Sequence, residues 1–220
     1  MDHQTENYRL SVALLVALAF CIYLPMKAAP FVYEDVRWLG AVNQEILWTW
    51  PSRALTNLTF QLQAELPVSF GLPISPLSFH ILNVGIHLVN SVLIAIIALP
   101  MIGRLGSVFA SGMFALHPLM TEAVSYVAVR GDLLLTCCAL VALWGLRNGH
   151  RGLMVAAVAV ILAGWTKEIG VVIMALMLWT CLIYRQHVKL MGYAAGLVAL
   201  LCLVKWPTFS AWMTLPVYAG

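Results

Sequence analysis

The feature that most constrains this chain is a succession of apolar runs separated by short polar turns. A helix needs about 20 apolar residues to cross a bilayer, with a range of roughly 17–25. The runs predict seven spans: Leu10 to Lys27, Leu77 to Ile102, Leu105 to Leu116, Val129 to Leu146, Gly152 to Trp165, Ile169 to Tyr184 and Leu190 to Val204. Several are short, so they borrow flanking residues or stop partway at a cavity. Composition agrees: 62% of residues are hydrophobic, 10% are charged and the mean hydropathy is +0.92. Soluble domains carry roughly 25% charged residues. A water-soluble fold of 220 residues cannot hide that much apolar surface. The expected fold class is all-α integral membrane, a single transmembrane domain over residues 1–220 with about seven transmembrane helices. A long first outer loop, residues 31–75, is expected to carry an interfacial helix.

The net charge of +3 is small, and no basic cluster points to nucleic acid. The cysteines at 21, 137, 138, 181 and 202 all lie in apolar runs, where small buried hydrophobes are expected rather than disulfides or metal ligands. The N-terminal stretch is mixed in charge and its apolar run ends in Pro25-Met26-Lys27. It reads as an uncleaved first span rather than a signal peptide.

Alternating the connections of seven spans sorts the charges. One side holds Arg9, Arg104, Arg147, Arg151, Arg185 and Lys189 with only Asp2 and Glu6. The other holds six basic residues and seven of the nine acids, Glu34, Asp35, Glu122, Asp132 and Glu168 among them. Lys and Arg alone tie, but the short turns at Arg147/Arg151 and Arg185/Lys189 are basic and free of acids, as cytoplasmic turns tend to be. The N-terminus is therefore placed in the cytoplasm and the 31–75 loop outside. Ionisable groups gathered beside hydrocarbon are costly and usually mark a path or a site.

Four constellations stand out on the acidic side. Glu34-Asp35 are adjacent carboxylates that need a cation, a divalent metal or a shared proton; otherwise they are a solvated loop pair balanced by Arg37. His80, Asn83, His87 and Asn90 fall within an arc of about 80° on the second span. His80 and His87 are roughly 10 Å apart along the axis, too far to share one ion. Inter-helix hydrogen bonding suits the inner three, while His80, at the outer end, is the better site candidate. His117, Glu122, Arg130 and Asp132 crowd one outer loop, where a guanidinium suits a phosphate or pairs structurally with Glu122 or Asp132. Lys167-Glu168 is either a second cation for such a phosphate or a self-neutralised pair. In the long loop, the leucines at 55, 58, 62 and 66 have helical spacing with Ser52 as a cap, and Asn57-Leu58-Thr59 matches a glycosylation acceptor pattern.

Together, the acidic pair, then PLSFHILNVGIHLVNS, ALHPLMTEAVSYVAVRGDLL and TKEIG, in that order, resemble the GT-C glycosyltransferases. The nearest likeness is to the transmembrane and tetratricopeptide-repeat (TMTC) O-mannosyltransferases and their bacterial relatives, over roughly residues 31–184. Only the N-terminal half of such a fold is covered. The resemblance implies transfer of a sugar from a polyprenyl-phosphate carrier to an acceptor hydroxyl, on a protein or glycan, at the lumenal or periplasmic face. It implies the Glu34-Asp35 pair as the catalytic acidic motif and Arg130 and Lys167 as holders of the carrier phosphate. His80, His117, Glu122 and Asp132 would line the substrate cavity. No cofactor follows beyond the lipid-linked donor, with a divalent metal as an open option. The expected membrane is the bacterial inner membrane in preference to the endoplasmic reticulum, with further membrane subunits possible partners. The alternative is a shortened, non-catalytic relative serving as a subunit of a larger membrane complex, its polar pairs acting as packing glue.

Overall fold

The structure, a computed structural model, describes residues 3–25, 29–32, 35, 53–170, 172–173 and 175–176. Within these run α1 (His3–Tyr23), α2 (Ala54–Ser69), α3 (Pro76–Leu116), α4 (Met120–Ser125), α5 (Arg130–Leu146) and α6 (Gly149–Gly164). A 3-10 turn, Val127–Val129, leads into α5. Among the described residues three helices are long and apolar enough to cross a membrane: His3–Tyr23, Pro76–Leu116 and Val127–Leu146 with its lead-in. The chain is thus a helical integral membrane protein. The seventh expected span and most of the sixth lie outside the described residues.

The chain turns where its sequence cannot continue a helix. Pro25 removes a donor just after α1. The 41-residue α3 is two arms joined at Gly103, whose backbone sits at φ 70 and ψ −177. Only glycine adopts that conformation without strain. Pro100, three residues earlier, has already broken the hydrogen-bond ladder. The break falls where the sequence puts a boundary, between the second and third expected spans. Ser111 Oγ donates to Ser91 O at 2.7 Å and His87 Nε2–H to Ala115 O at 3.1 Å. The arms therefore run antiparallel as a hairpin.

A second hairpin joins α5 to α6. A Cβ at Gly145 would run into Gly152 O and stand 2.9 Å from Ala156 N. Glycine lets these backbones touch, and Ala142, Ala156 and Ala159 fill the rest of the seam. On the outside of the bundle, α1 buries Ala19 and Tyr23 and leaves Leu10, Leu14, Leu18 and Ile22 exposed, as a lipid-facing helix does. Tyr8 Oη donates to Ala95 O and Tyr23 Oη to Ala115 O, fastening α1 to both arms of α3.

The expected interfacial helix is α2. It buries Thr56, Asn57, Phe60 and Ala64 and exposes Leu58, Leu62 and Leu66 on the opposite side. Asn57 is fully buried, so its side chain cannot accept a glycan in this fold. The residue preceding α2 is Arg53, which makes no capping bond; Ser52 lies outside the described residues.

The charges of the described residues divide as the sequence sorts them. Arg104 reaches Gln4 and Arg147 reaches Ile97 O, at the Gly103 kink end. Asp35, Arg53, Arg130, Asp132, Lys167 and Glu168 gather at the other, the site end.

Candidate active site

At the site end a guanidinium is completely enclosed. Arg130, the first residue of α5, has no exposed surface. Its Nε donates to Asn83 Oδ1 at 2.8 Å, Nη2 to Phe79 O at 3.3 Å and Nη1 to Thr59 Oγ1 at 3.4 Å. Its Cζ lies 4.2 Å from the ring centre of Phe60 and 5.4 Å from that of Phe79. A planar, delocalised cation is suited to such a slot, because it can stack and hydrogen-bond at once. This one side chain ties together α2, α3 and α5. Neither of the structural partners weighed from sequence, Glu122 or Asp132, is used.

Asp35 is the charge that acts on Arg130. It is 1% exposed, with Oδ1 accepting from Ala128 N at 2.8 Å and Oδ2 from Val32 N at 3.3 Å. The carboxylate thereby fixes the 3-10 turn that presents Arg130. Glu34 lies outside the described residues.

Beside this latch lies a cavity of about 170 Å³ lined by Arg53, Thr56, Tyr126, Ala128, Val129, Gly131, Asp132, Thr166 and Lys167. Two ion pairs frame it. Lys167 Nζ contacts both Asp132 oxygens, at 2.7 and 2.9 Å, and Arg53 Nε contacts both Glu168 oxygens, at 3.0 and 3.1 Å. Lys167 and Glu168 are therefore not a self-neutralised pair; each takes a partner from another segment. Thr56 Oγ1 donates to Thr166 O at 2.7 Å and closes the floor. A Cβ at position 131 would approach Thr166 O at 3.3 Å, so glycine keeps α5 close to this turn. The pairs are only partly enclosed, with Lys167 and Asp132 side chains 34% and 39% exposed. Both cations can therefore exchange a carboxylate for an incoming anion at small cost.

Of the residues singled out by sequence, Asp132 and Lys167 line the cavity, and Arg130 and Asp35 support its wall from behind. His117 and Glu122 do not line it: His117 Nδ1 accepts from Leu119 N at 3.2 Å, and Glu122 is exposed. The polar stripe is wholly buried. Asn83 serves Arg130, His87 bonds Ala115 O, and Asn90 donates to Leu133 O at 3.0 Å, as inter-helix bonding requires. His80 is 2% exposed, and neither ring nitrogen has a protein partner. Among the described residues no three of His, Cys, Asp and Glu converge as a metal cluster would. Sequence reasoning missed Arg53, Thr56, Tyr126 and Thr166. The i,i+4 spacing of Thr56 and Phe60 was the available signal that this face of α2 is buried.

Fold and site define a helical membrane protein with a charge-framed polar cavity at one end of its spans. The chain is similar to protein O-mannosyl-transferases. It is 32% identical to Tmtc1 of Drosophila melanogaster over 148 residues, covering 57% of this chain and 17% of that relative. It is 31% identical to TMTC3 of Homo sapiens over 144 residues, covering 56% of this chain and 15% of that one. Tmtc2 of Drosophila melanogaster matches at 30% identity over 145 residues. The TMTC-type likeness read from the motifs is what the comparison returns. The matched stretch is only 15–17% of these relatives' length, as likeness to part of a longer fold requires. No family model matches the chain, and no solved structure matches it.

Proposed function

We propose that this chain carries the membrane-edge site of a GT-C-type glycosyltransferase, which moves a sugar from a polyprenyl-phosphate carrier to an acceptor hydroxyl on the lumenal or periplasmic face. The observation that supports this best is the cavity between the two ion pairs, which brings Arg53 and Lys167 to one polar hollow at the end of the spans. The sequence likeness to O-mannosyl-transferases supports the same reading.

On this reading the acceptor oxygen attacks the anomeric carbon as the bond to the carrier phosphate breaks. The carrier leaves as polyprenyl phosphate, and the acceptor proton passes to a carboxylate of the Glu34-Asp35 pair. Lys167 leaves Asp132 to meet the leaving phosphate, whose growing charge outcompetes a single carboxylate. Arg130 holds the cavity wall in register and adds positive charge behind it. Asp132 lines the cavity, whereas His80 is buried and His117 and Glu122 stand outside its lining. The acceptor is a protein or glycan hydroxyl, and other membrane subunits or further chain complete the enzyme.

The competing reading, a non-catalytic subunit, expects the same charges tied in pairs with no hollow between them. The cavity favours the transferase. The test is transfer from labelled polyprenyl-phosphate sugars to acceptor peptides or glycans by the protein in vesicles. Transfer is expected from the wild type and not from Asp35→Asn or Lys167→Met variants that retain their helical content. A wild type inert toward every donor, or a fully active Lys167→Met, would overturn the proposal.

A further inference from the structure

Two aspartates at the site end are held differently. Asp35 is 1% exposed and keeps two backbone donors, Ala128 N and Val32 N. Asp132 lines the cavity, and its side chain is 39% exposed. Among the described residues its carboxylate has a single donor, Lys167 Nζ, which meets both oxygens at 2.7 and 2.9 Å. Its backbone is anchored in the first turn of α5, where Asp132 O accepts from Thr136 Oγ1 at 2.8 Å. The carboxylate can therefore change partner without moving its helix. Glu168, which Arg53 holds, is not among the residues that line the cavity.

A phosphate entering the hollow draws Lys167 Nζ away from Asp132. The ammonium and the carboxylate start in contact, so the phosphate comes to rest beside Asp132. In a glycosyl phosphate the hydroxyl nearest the phosphate is the one on C2, next to the anomeric carbon. An ionised carboxylate that has lost its donor is an acceptor for that hydroxyl. Such a bond strengthens during reaction, because positive charge building at the anomeric carbon makes the C2 hydroxyl a better donor.

We propose that Asp132 reads the C2 hydroxyl of the donor sugar, taking it in place of Lys167. The cavity thereby selects carriers whose sugar has that hydroxyl free. This assignment rests on the transferase reading of the same cavity. It gives the Lys167–Asp132 pair two uses in one event, a cation for the phosphate and an acceptor for the sugar.

The test is transfer by the full chain in vesicles, read as kcat/KM with three donors: a polyprenyl-phosphate hexose, its 2-deoxy form and its 4-deoxy form. The wild-type preference for the parent over the 2-deoxy donor should fall roughly 10- to 100-fold in Asp132→Ala, the range of a hydrogen bond to a charged group. Asp132→Asn keeps the shape without the charge and should fall between the two. The parent-to-4-deoxy ratio should be the same in all three proteins. Comparing ratios cancels the intrinsic reactivity of each donor and any general loss of activity from altered packing. A parent-to-2-deoxy ratio that is equal in wild type and Asp132→Ala would overturn the assignment and leave the transferase reading standing. So would an equal fall in the 2-deoxy and 4-deoxy ratios. A wild type inert toward all three donors would overturn both.

Discussion

The two ends of the bundle use the same residue types in opposite ways. At the site end the described cations face carboxylates: Lys167 faces Asp132, Arg53 faces Glu168, and Arg130 feels Asp35. The segments that supply these charges lie far apart in sequence, 115 residues in the case of Arg53 and Glu168. At the kink end Arg147 donates to the neutral Ile97 O, and Arg9 and Arg151 are exposed, with no ion pair to a carboxylate among the described residues. The lesson concerns what each end meets. Charges matched within the protein can enclose a cavity and wait for an anionic substrate. Exposed arginines with no carboxylate beside them among the described residues enclose no such cavity.

Arg130 should produce the largest effect. Arg130→Met leaves the buried Asn83 Oδ1 without its donor and Asp35 without its neighbouring cation, at a cost of about 3 kcal/mol of stability. Reversible unfolding in mixed detergent measures it. Arg130→Lys should recover less than half, because an ammonium cannot stack on Phe60 and donate in three directions. A Lys variant as stable as the wild type would break the contrast by making the latch a mere point charge. Next is the hairpin that both ends share. Gly145→Ala pushes a methyl group against Gly152 O, and overpacking of that kind costs roughly 1–3 kcal/mol. The same unfolding assay should show it, with the loss of helical signal beginning in α5 and α6.

Smaller effects sharpen the comparison. Lys167→Met should change stability by less than about 1 kcal/mol, since the pair it breaks is more than a third exposed. A drop several times larger would make the pair structural and weaken its assignment to a ligand. Smallest of all, Arg151→Gln, at an exposed position, should shift stability in neutral detergent by no more than about 0.5 kcal/mol.

The part of this molecule legible in the sequence is the part carried by local pattern. The break at Gly103 and the start of α5 at Arg130 follow from glycine, proline and hydrophobic periodicity. So does the buried stripe of Asn83, His87 and Asn90, whose 3.6-residue spacing sets one face of a helix. The segregation of acids to one end follows from alternating connections. What the sequence could not give is who pairs with whom. Lys167 allowed a phosphate or a pair with its neighbour Glu168, yet it contacts Asp132, 35 residues away. Arg130 allowed a phosphate or a structural pair with Glu122 or Asp132, and it donates instead to Asn83, Thr59 and Phe79. These choices depend on how α2 lies across the ends of α3 and α5, a tertiary fact with no sequence period. For the same reason Arg53 and Thr56 escaped notice. Their neighbours in the chain are apolar or small, and their partners arrive from the turn after α6.

The central claim is that the hollow between Lys167–Asp132 and Arg53–Glu168 takes the phosphate of a lipid carrier. Its most direct test is the affinity of the purified chain for a short-chain prenyl phosphate, measured by calorimetry for wild type and Lys167→Met. A charge-assisted contact of this kind is worth roughly 1.5–3 kcal/mol, so the variant should bind roughly 10- to 100-fold more weakly, and the corresponding prenyl alcohol should bind neither. Equal affinity of wild type and variant, or of phosphate and alcohol, would contradict the account.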